Sequence, residues 1–240
     1  MEIILNKKIK NHPILLEGFP GFGLIGTIVT EYLIDHLEVE SIGSVISDEI
    51  PPMIALHAGR VVQPIEIFYA KKYNLVILHV VTNPVGLEWK LSDVVLKLAK
   101  MLQVREIISI EGVSSPGGYA EEPRAFYYAN NERLRKAFQK VQVEELKEGV
   151  IMGVTGTILL KAKNMNQPTS CIFAETQSAI PDSKSAANVI KVLDKYLGLK
   201  VDPKPLLEEA EKFEEKLRQL LEKTKEASEV QKKKQLSYLG

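Results

Sequence analysis

Apolar residues along the chain change their spacing several times, and each change marks an element. Ile14, Leu15 and Leu16 form a short continuous apolar run with the length and branching of a buried strand. A glycine-rich stretch, Gly18-Phe19-Pro20-Gly21-Phe22-Gly23, follows at once. Then Leu24, Ile25, Ile28, Val29, Tyr32, Leu33 and His36 recur at helical spacing, with Thr30, Glu31 and Asp35 opposite them. The pattern predicts strand, tight turn and helix, and the rest of the chain is organised around that unit.

The same reading predicts strands at 2–5, 42–47, 65–69, 75–81, 106–113, 150–154 and 170–174. The short polar link at 71–74 predicts an antiparallel hairpin between two of them. Residues 76–81 are apolar almost throughout, as a strand covered on both faces requires. Helices are predicted at 89–102, at 130–138, from Ile158 onward, and at 183–197, with Asp182 or Ser183 as N-cap and Gly198 as stop. Alternating strands and helices predict one α/β domain with a largely parallel sheet covered by helices.

Asp202-Pro203-Lys204-Pro205 marks a boundary, dividing an α/β domain at 1–201 from a helical arm at 202–240. In the arm Leu206, Ala210, Phe213, Leu217, Leu220, Thr224 and Ala227 alternate four and three residues apart, a heptad seam. Its apolar character fades after Leu221 into lysines. The first half is therefore expected to pack on its own domain or on a partner helix, and the second half to project. A seam of this kind predicts self-association, because it rarely stays exposed on a monomer.

Composition adds bounds. The 240 residues suffice for one substantial core. Lys plus Arg and Asp plus Glu number 31 each, so no net charge points to nucleic acid or to a membrane surface. No run approaches the roughly 20 apolar residues of a membrane span. The basic residues of the N-terminal segment follow its short apolar run, the reverse of a secretory leader. A single cysteine, Cys171, sits in an apolar run and fits a small buried side chain in a reducing cytoplasm. A cytoplasmic protein is expected.

Candidate chemistry is sparse. Gly21, Gly23 and Gly26 spell G-x-G-x-x-G. One reading is a phosphate cradle at a helix N-terminus. The other is close packing, in which Gly18, Gly21, Gly23 and Gly26, with Gly156 in a second such turn, let backbones approach. Pro20 removes a donor, and the bulky Phe19 and Phe22 crowd the backbone, both of which favour packing. Asp48 and Glu49 run into Ile50-Pro51-Pro52 and read as a solvated turn. His12, His36, His57 and His79 have no partner at metal-ligand spacing, so no metal site is expected. Ser114 and Ser115 follow a strand, where Glu111, Glu175 and Asp182 could join them. That set is the best enzyme arrangement available, a hydrolase or phosphorylase; a nucleotide-binding enzyme at 21–26 is the other.

The segment EGFPGFGLIGTIVTEYLIDHL resembles the N-terminal signature of the PAC2 family, the proteasome assembly chaperones and their archaeal homologues. The resemblance continues in Asp48-Glu49-Ile50-Pro51-Pro52, Glu111-Gly112-Val113, Thr155-Gly156-Thr157-Ile158-Leu159-Leu160, Glu175 and Pro181-Asp182, in that order. It implies a three-layer α/β/α sandwich similar to the nucleoside phosphorylase and hydrolase-like fold, with a long protruding C-terminal helix. It implies no catalytic residue and no cofactor, but ATP-independent help in assembling the proteasome α-ring by a homo-oligomer, a tetramer or pentamer, with projecting C-terminal segments. Leu206, Phe213, Leu217 and Leu220 would form the oligomer or arm seam. Some family members end in a hydrophobic–tyrosine–any-residue motif that docks between proteasome α-subunits. Here Leu236, Tyr238, Leu239 and Gly240 are the corresponding tip, but Tyr238 is third from the end. That shift moves the terminal carboxylate, so the expected partner is the α-subunits or another protein.

Overall fold

The computed structural model describes residues 1–50, 54–57, 60–83, 85–114, 122–176 and 181–208, and then 210, 212, 214, 215, 218, 219, 222 and 223. At its centre lies β2 (Ile14–Gly18), all five of its residues buried. It pairs in parallel with β7 (Leu75–Val80) on one side and with β8 (Glu106–Ser114) on the other, and β8 pairs in parallel with β11 (Thr169–Thr176). Outward from β7 lie β6 (Ile65–Ala70), β3 (Glu40–Ile46) and β1 (Glu2–Leu5), each antiparallel to its neighbour. Outward from β11 lie β9 (Ala125–Ala129), antiparallel, and the two-residue β10 (Glu144–Glu145), parallel to β9. A separate hairpin pairs β4 (Ala55–His57) with β5 (Arg60–Val62).

The nine-stranded sheet among the described residues is therefore mixed, not largely parallel as expected. The reason is the length of the connections. A three-residue 3-10 turn at Lys71–Tyr73 can only reverse the chain, which makes β6 and β7 antiparallel as predicted. Parallel pairing occurs where a helix returns the chain. Helices α1 (Ile25–His36), α2 (Glu88–Leu102) and the short α3 (Glu132–Lys140) make such crossovers, whereas α4 (Gly153–Met165) leads into β11 from the oppositely directed β10 and α5 (Ser183–Leu197) follows the last strand.

Alternation along the strands divides the core in two. Ile14, Leu16, Leu75, Ile77, Ile108, Ile110 and Ile172 pack on one face with α1 and α5. Leu15, Val76, Leu78, Val80 and Ile107 pack on the other with α2 and α4. Helices on both faces are what make the central strands continuously apolar in sequence. Asp182 caps α5 by accepting from the Ser185 N–H at 2.9 Å, and Gly198 ends that helix at φ 68°.

Two elements differ from expectation, and a third follows one of the two packings expected for it. Residues 150–154 are not a strand; α4 already begins at Gly153, with Val154, Thr155, Ile158 and Ala162 on its buried side. A short apolar run does not reveal which period it belongs to. The strand β9 precedes the predicted helix unannounced, and that helix starts later because Asn131 caps it, accepting from the Leu134 N–H at 3.0 Å. Finally, the arm begins against its own subunit. Leu206, in α6 (Lys204–Glu208), is 2 % exposed within the α1/α5 core. Tyr32 Oη donates to the Asp202 carbonyl at 2.8 Å, and Glu214 Oε1 accepts from the Ser183 N–H at 2.9 Å. Phe213, Leu217, Leu220 and the tip residues 236–240 lie outside the described residues.

A close backbone approach joins the end of β2 to the start of α1. A Cβ on Gly18 would meet the Gly26 carbonyl oxygen at 2.1 Å, whereas one on Gly149 would meet only a Leu146 methyl at 3.6 Å. Gly18→Ala is expected to cost about 1–3 kcal/mol by overpacking, with Gly149→Ala near neutral. Urea denaturation of both variants checks the contrast.

Candidate functional site

The motif residues, far apart in sequence, meet at the carboxyl ends of β2, β8 and β11. The turn after β2 wraps around the side chain of Glu111. A Cβ on Gly21 would stand 2.2 Å from Glu111 Oε1, so only glycine leaves that carboxyl its seat. The Phe22 and Gly112 amides hydrogen-bond to the carboxyl, and Thr155 Oγ1 donates to Oε2 at 3.1 Å from the first turn of α4. On the far side of the turn, Gly23 takes φ 65° and lies against Thr176, the last residue of β11. Thr176 Oγ1 donates to Asp182 Oδ2 at 2.8 Å, and the Asp182 N–H donates back to the Gly23 carbonyl at 3.0 Å. Gly112 is equally confined, since a Cβ there would meet the Phe22 carbonyl oxygen at 2.0 Å. The glycines are thus confined by neighbouring backbone and side chains, and the Phe22 amide that a bound phosphate would need is taken by the chain's own carboxyl.

Beneath Glu111 the environment is dry. Glu17, Ser109 and Cys171 are fully buried on the same face of three neighbouring strands, with Glu17 opposite Ser109 and Ser109 opposite Cys171. Burial pushes the Glu111 carboxyl up to about 7 against the hydrogen bonds that favour its charge. It pushes Glu17 up to about 8, with the Glu111 charge adding to the effect. The Cys171 thiol is driven well above its ordinary value, by burial first and then by both carboxyls, so it is no nucleophile. Glu175, nearby on β11, is instead paired: Arg124 meets it through Nη2 at 2.7 Å and through its backbone N–H at 3.0 Å.

This interlocked turn joins residues from several of the signature segments read from the sequence, and the sequence profile of the PAC2 family matches residues 15–221. The chain belongs to the PAC2 family. Among solved structures it is similar to Pyrococcus furiosus PbaA, an archaeal homolog of proteasome-assembly chaperone. The identity is 31 % over 94 % of this chain and 98 % of that one, with a TM-score of 0.84. It is also similar to P. furiosus PbaB, an archaeal proteasome activator, at 26 % identity over 91 % and 98 % of the two chains, with a TM-score of 0.75. An uncharacterized protein of Methanocaldococcus jannaschii is 28 % identical over 223 residues, covering 92 % of this chain and 91 % of the relative.

Ser114 ends β8 exposed, in register with Thr176, and Ser115 lies outside the described residues. His36 stacks on Tyr32, and its Nδ1 lies 2.9 Å from that residue's carbonyl oxygen. His12 Nδ1 lies 2.9 Å from the Gln103 carbonyl oxygen, and His57 is on β4. No group of three metal-ligating side chains occurs among the described residues. Among them, too, no helix is long and apolar enough to cross a membrane. Glu49, expected in a solvated turn, reaches the Lys90 ammonium in the first turn of α2.

One constellation escaped the sequence reading. Buried His79 on β7 lies 2.9 Å from Thr30 Oγ1 through Nδ1 and 3.0 Å from Glu31 Oε2 through Nε2. It has the outline of a nucleophile, base and acid, but the Thr30 hydroxyl is fully buried and bonded to the Gly26 carbonyl at 2.9 Å. It fastens α1 to β7. The available signal was a histidine in an otherwise apolar strand; its partners on α1 are set by packing alone.

Several apolar side chains are exposed on the segments that meet near the interlocked turn. Phe22 in the turn, Trp89 at the start of α2, and Val150 and Met152 before α4 are all exposed. The two helices begin side by side: Lys161 Nζ donates to the Trp89 carbonyl at 2.8 Å and lies over its ring. Two outcomes are expected from this geometry. Glu111→Ala, measured in urea at pH 6, loses about 1–3 kcal/mol because it strands the Thr155 hydroxyl and the turn amides. Millimolar ATP or inorganic phosphate leaves the melting temperature of the unaltered chain unchanged, since a specific ligand would raise it by mass action.

Proposed function

We propose that this chain is a non-catalytic assembly factor of the proteasome assembly chaperone type, working without ATP by binding partner proteins. The observation that carries this reading is the likeness to PbaA at 31 % identity along nearly the whole of both chains. The likeness to PbaB, an archaeal proteasome activator, supports proteasome α-subunits as partners, with another protein as the remaining possibility. The inward use of Gly18, Gly21, Gly23, Gly26 and Glu111 supports it too, because the residues that resemble a cofactor cradle are occupied with holding backbone together.

In this reading the α/β domain, residues 1–201, is a three-layer scaffold that self-associates into a tetramer or pentamer in an archaeal cytoplasm. The arm, residues 202–240, leaves that scaffold after Leu206 has anchored it. Phe213, Leu217 and Leu220 continue the seam along a long helix, and Leu236, Tyr238, Leu239 and Gly240 form the docking tip. Several weak tips on one particle raise avidity without any new contact. No cofactor, metal, nucleic acid or membrane takes part, and the balanced charge of the chain is in keeping with that.

Deleting residues 236–240 is the decisive experiment. Native mass measurement is expected to give the same multi-copy particle before and after deletion, while capture of proteasome α-subunits is lost. Undiminished capture by the shortened chain would overturn the docking tip, and a monomeric mass for the intact chain would overturn the oligomer.

A further inference from the structure

The turn at residues 18–24 is held by one carboxyl, and a second, Glu17, lies beneath it facing the Ser109 hydroxyl and the Phe19 backbone. Glu17 is fully buried, and neither of its oxygens makes a well-formed hydrogen bond to any described group; the same is true of the Ser109 hydroxyl opposite it. A buried polar group left this way carries a desolvation cost that calls for a reason. Glu111 stands two residues beyond Ser109 on the same strand face, against the Gly21 backbone.

The groups facing this pair come from every surrounding element. Strand β8 contributes Ser109, and β11 contributes Cys171 and Phe173. The neighbouring position on β7 is Leu78. The buried side of α4 offers Val154, Thr155, Ile158 and Ala162, and that of α2 carries apolar side chains and Ser92. The turn adds the Phe19, Gly21 and Phe22 backbone. None of these groups is a cation, so nothing facing the pair offsets two negative charges in this dry space, and like charges so confined do not both ionise readily.

We propose that Glu17 and Glu111 form a proton-gated latch: protonated, they keep the glycine turn and the first turn of α4 closed on the sheet, and ionised, they repel and let both open. Opening would free Phe22, already half-exposed, together with the apolar residues that precede α4. The latch closes at the junction of four elements, because Glu111 alone touches the turn, its own strand and α4, while the turn is tied to α5 through Gly23 and Asp182.

The direction follows from burial. Both carboxyls are raised above their ordinary 4.5, Glu111 to about 7 and Glu17 to about 8. The closed state therefore keeps protons that an opened, solvated state would release. The stability of closure is fully present below about pH 4.5 and is lost as pH rises, through about 7 for Glu111 and about 8 for Glu17. Between pH 7 and 8 only Glu17 still exchanges its proton, so opening should rise about tenfold over that unit.

Hydrogen exchange followed by mass spectrometry on the full chain, from pH 6 to 9, tests this. Rates for peptides covering 18–26 and 152–157 are divided by the intrinsic rates of unstructured chain. The unaltered protein is expected to open progressively up to about pH 8 and then level off. Glu17→Gln, which keeps the shape and removes the proton, is expected to level off near pH 7, and Glu17→Gln combined with Glu111→Gln to stay flat throughout. Equal slopes in all three chains, or no slope in the unaltered one, would overturn the latch. Infrared spectroscopy of the unaltered protein is a second measurement that needs no variant. A protonated carboxylic acid band at pH 6 that disappears by pH 9 supports the proposal, and its absence at pH 6 defeats it.

Discussion

A carboxyl group seated in a glycine turn is the constraint on which the rest of this structure depends. Glu111 fills the space that Gly21 leaves open, and its oxygens take the bonds offered by Thr155 and by two backbone amides. Moving a carboxyl out of water is costly, and it is tolerated here because each hydrogen bond lowers the cost and because the group can keep its proton. In return one side chain fixes the exit from β2, the entry into α1 and the start of α4. Segments far apart in sequence, the turn after β2 and the start of α4, thus meet at a single group.

A motif with the letters of a phosphate-binding loop can therefore serve the opposite purpose. In a cradle, glycines keep the backbone open for an incoming anion. Here they bring Gly18 against Gly26 and Gly112 against Phe22, backbone to backbone, and admit an internal acid in place of a ligand. With the central turn turned inward, the chemistry available to this PAC2 chain moves to its outside. The exposed Phe22, Trp89, Val150 and Met152 surround the carboxyl end of the sheet, which in many α/β proteins is the business end. Here that end presents exposed apolar side chains around a polar knot.

The attachment of the arm has its own physical logic. Leu206 is buried among α1 and α5 residues, Tyr32 holds the Asp202 carbonyl, and the Glu214 carboxylate accepts from the Ser183 N–H at the head of α5. An acid at a helix N-terminus is favoured by the helix dipole as well as by the free N–H groups there. Residues 202–206 and Glu214 are thus tied to α1 and α5.

The sequence by itself determined much of the local structure. The unit at 14–36, the hairpin around 71–74, the helices α2 and α5 and the Asp182 cap were legible because period, turn chemistry and capping are properties of neighbouring residues. The family could be read as well, since its short segments occur in order along the chain. What neighbours cannot specify was decided by tertiary structure. The sheet came out mixed, because pairing direction depends on how each connection returns the chain. Residues 153 and 154 joined a helix, because Thr155 has to reach Glu111 from one. The His79–Thr30–Glu31 contact and the pairing of Glu17 with Glu111 bring together residues 49 and 94 positions apart. A charged residue in an apolar strand announces in sequence that something must meet it; which group does so is settled only when the strands are laid side by side.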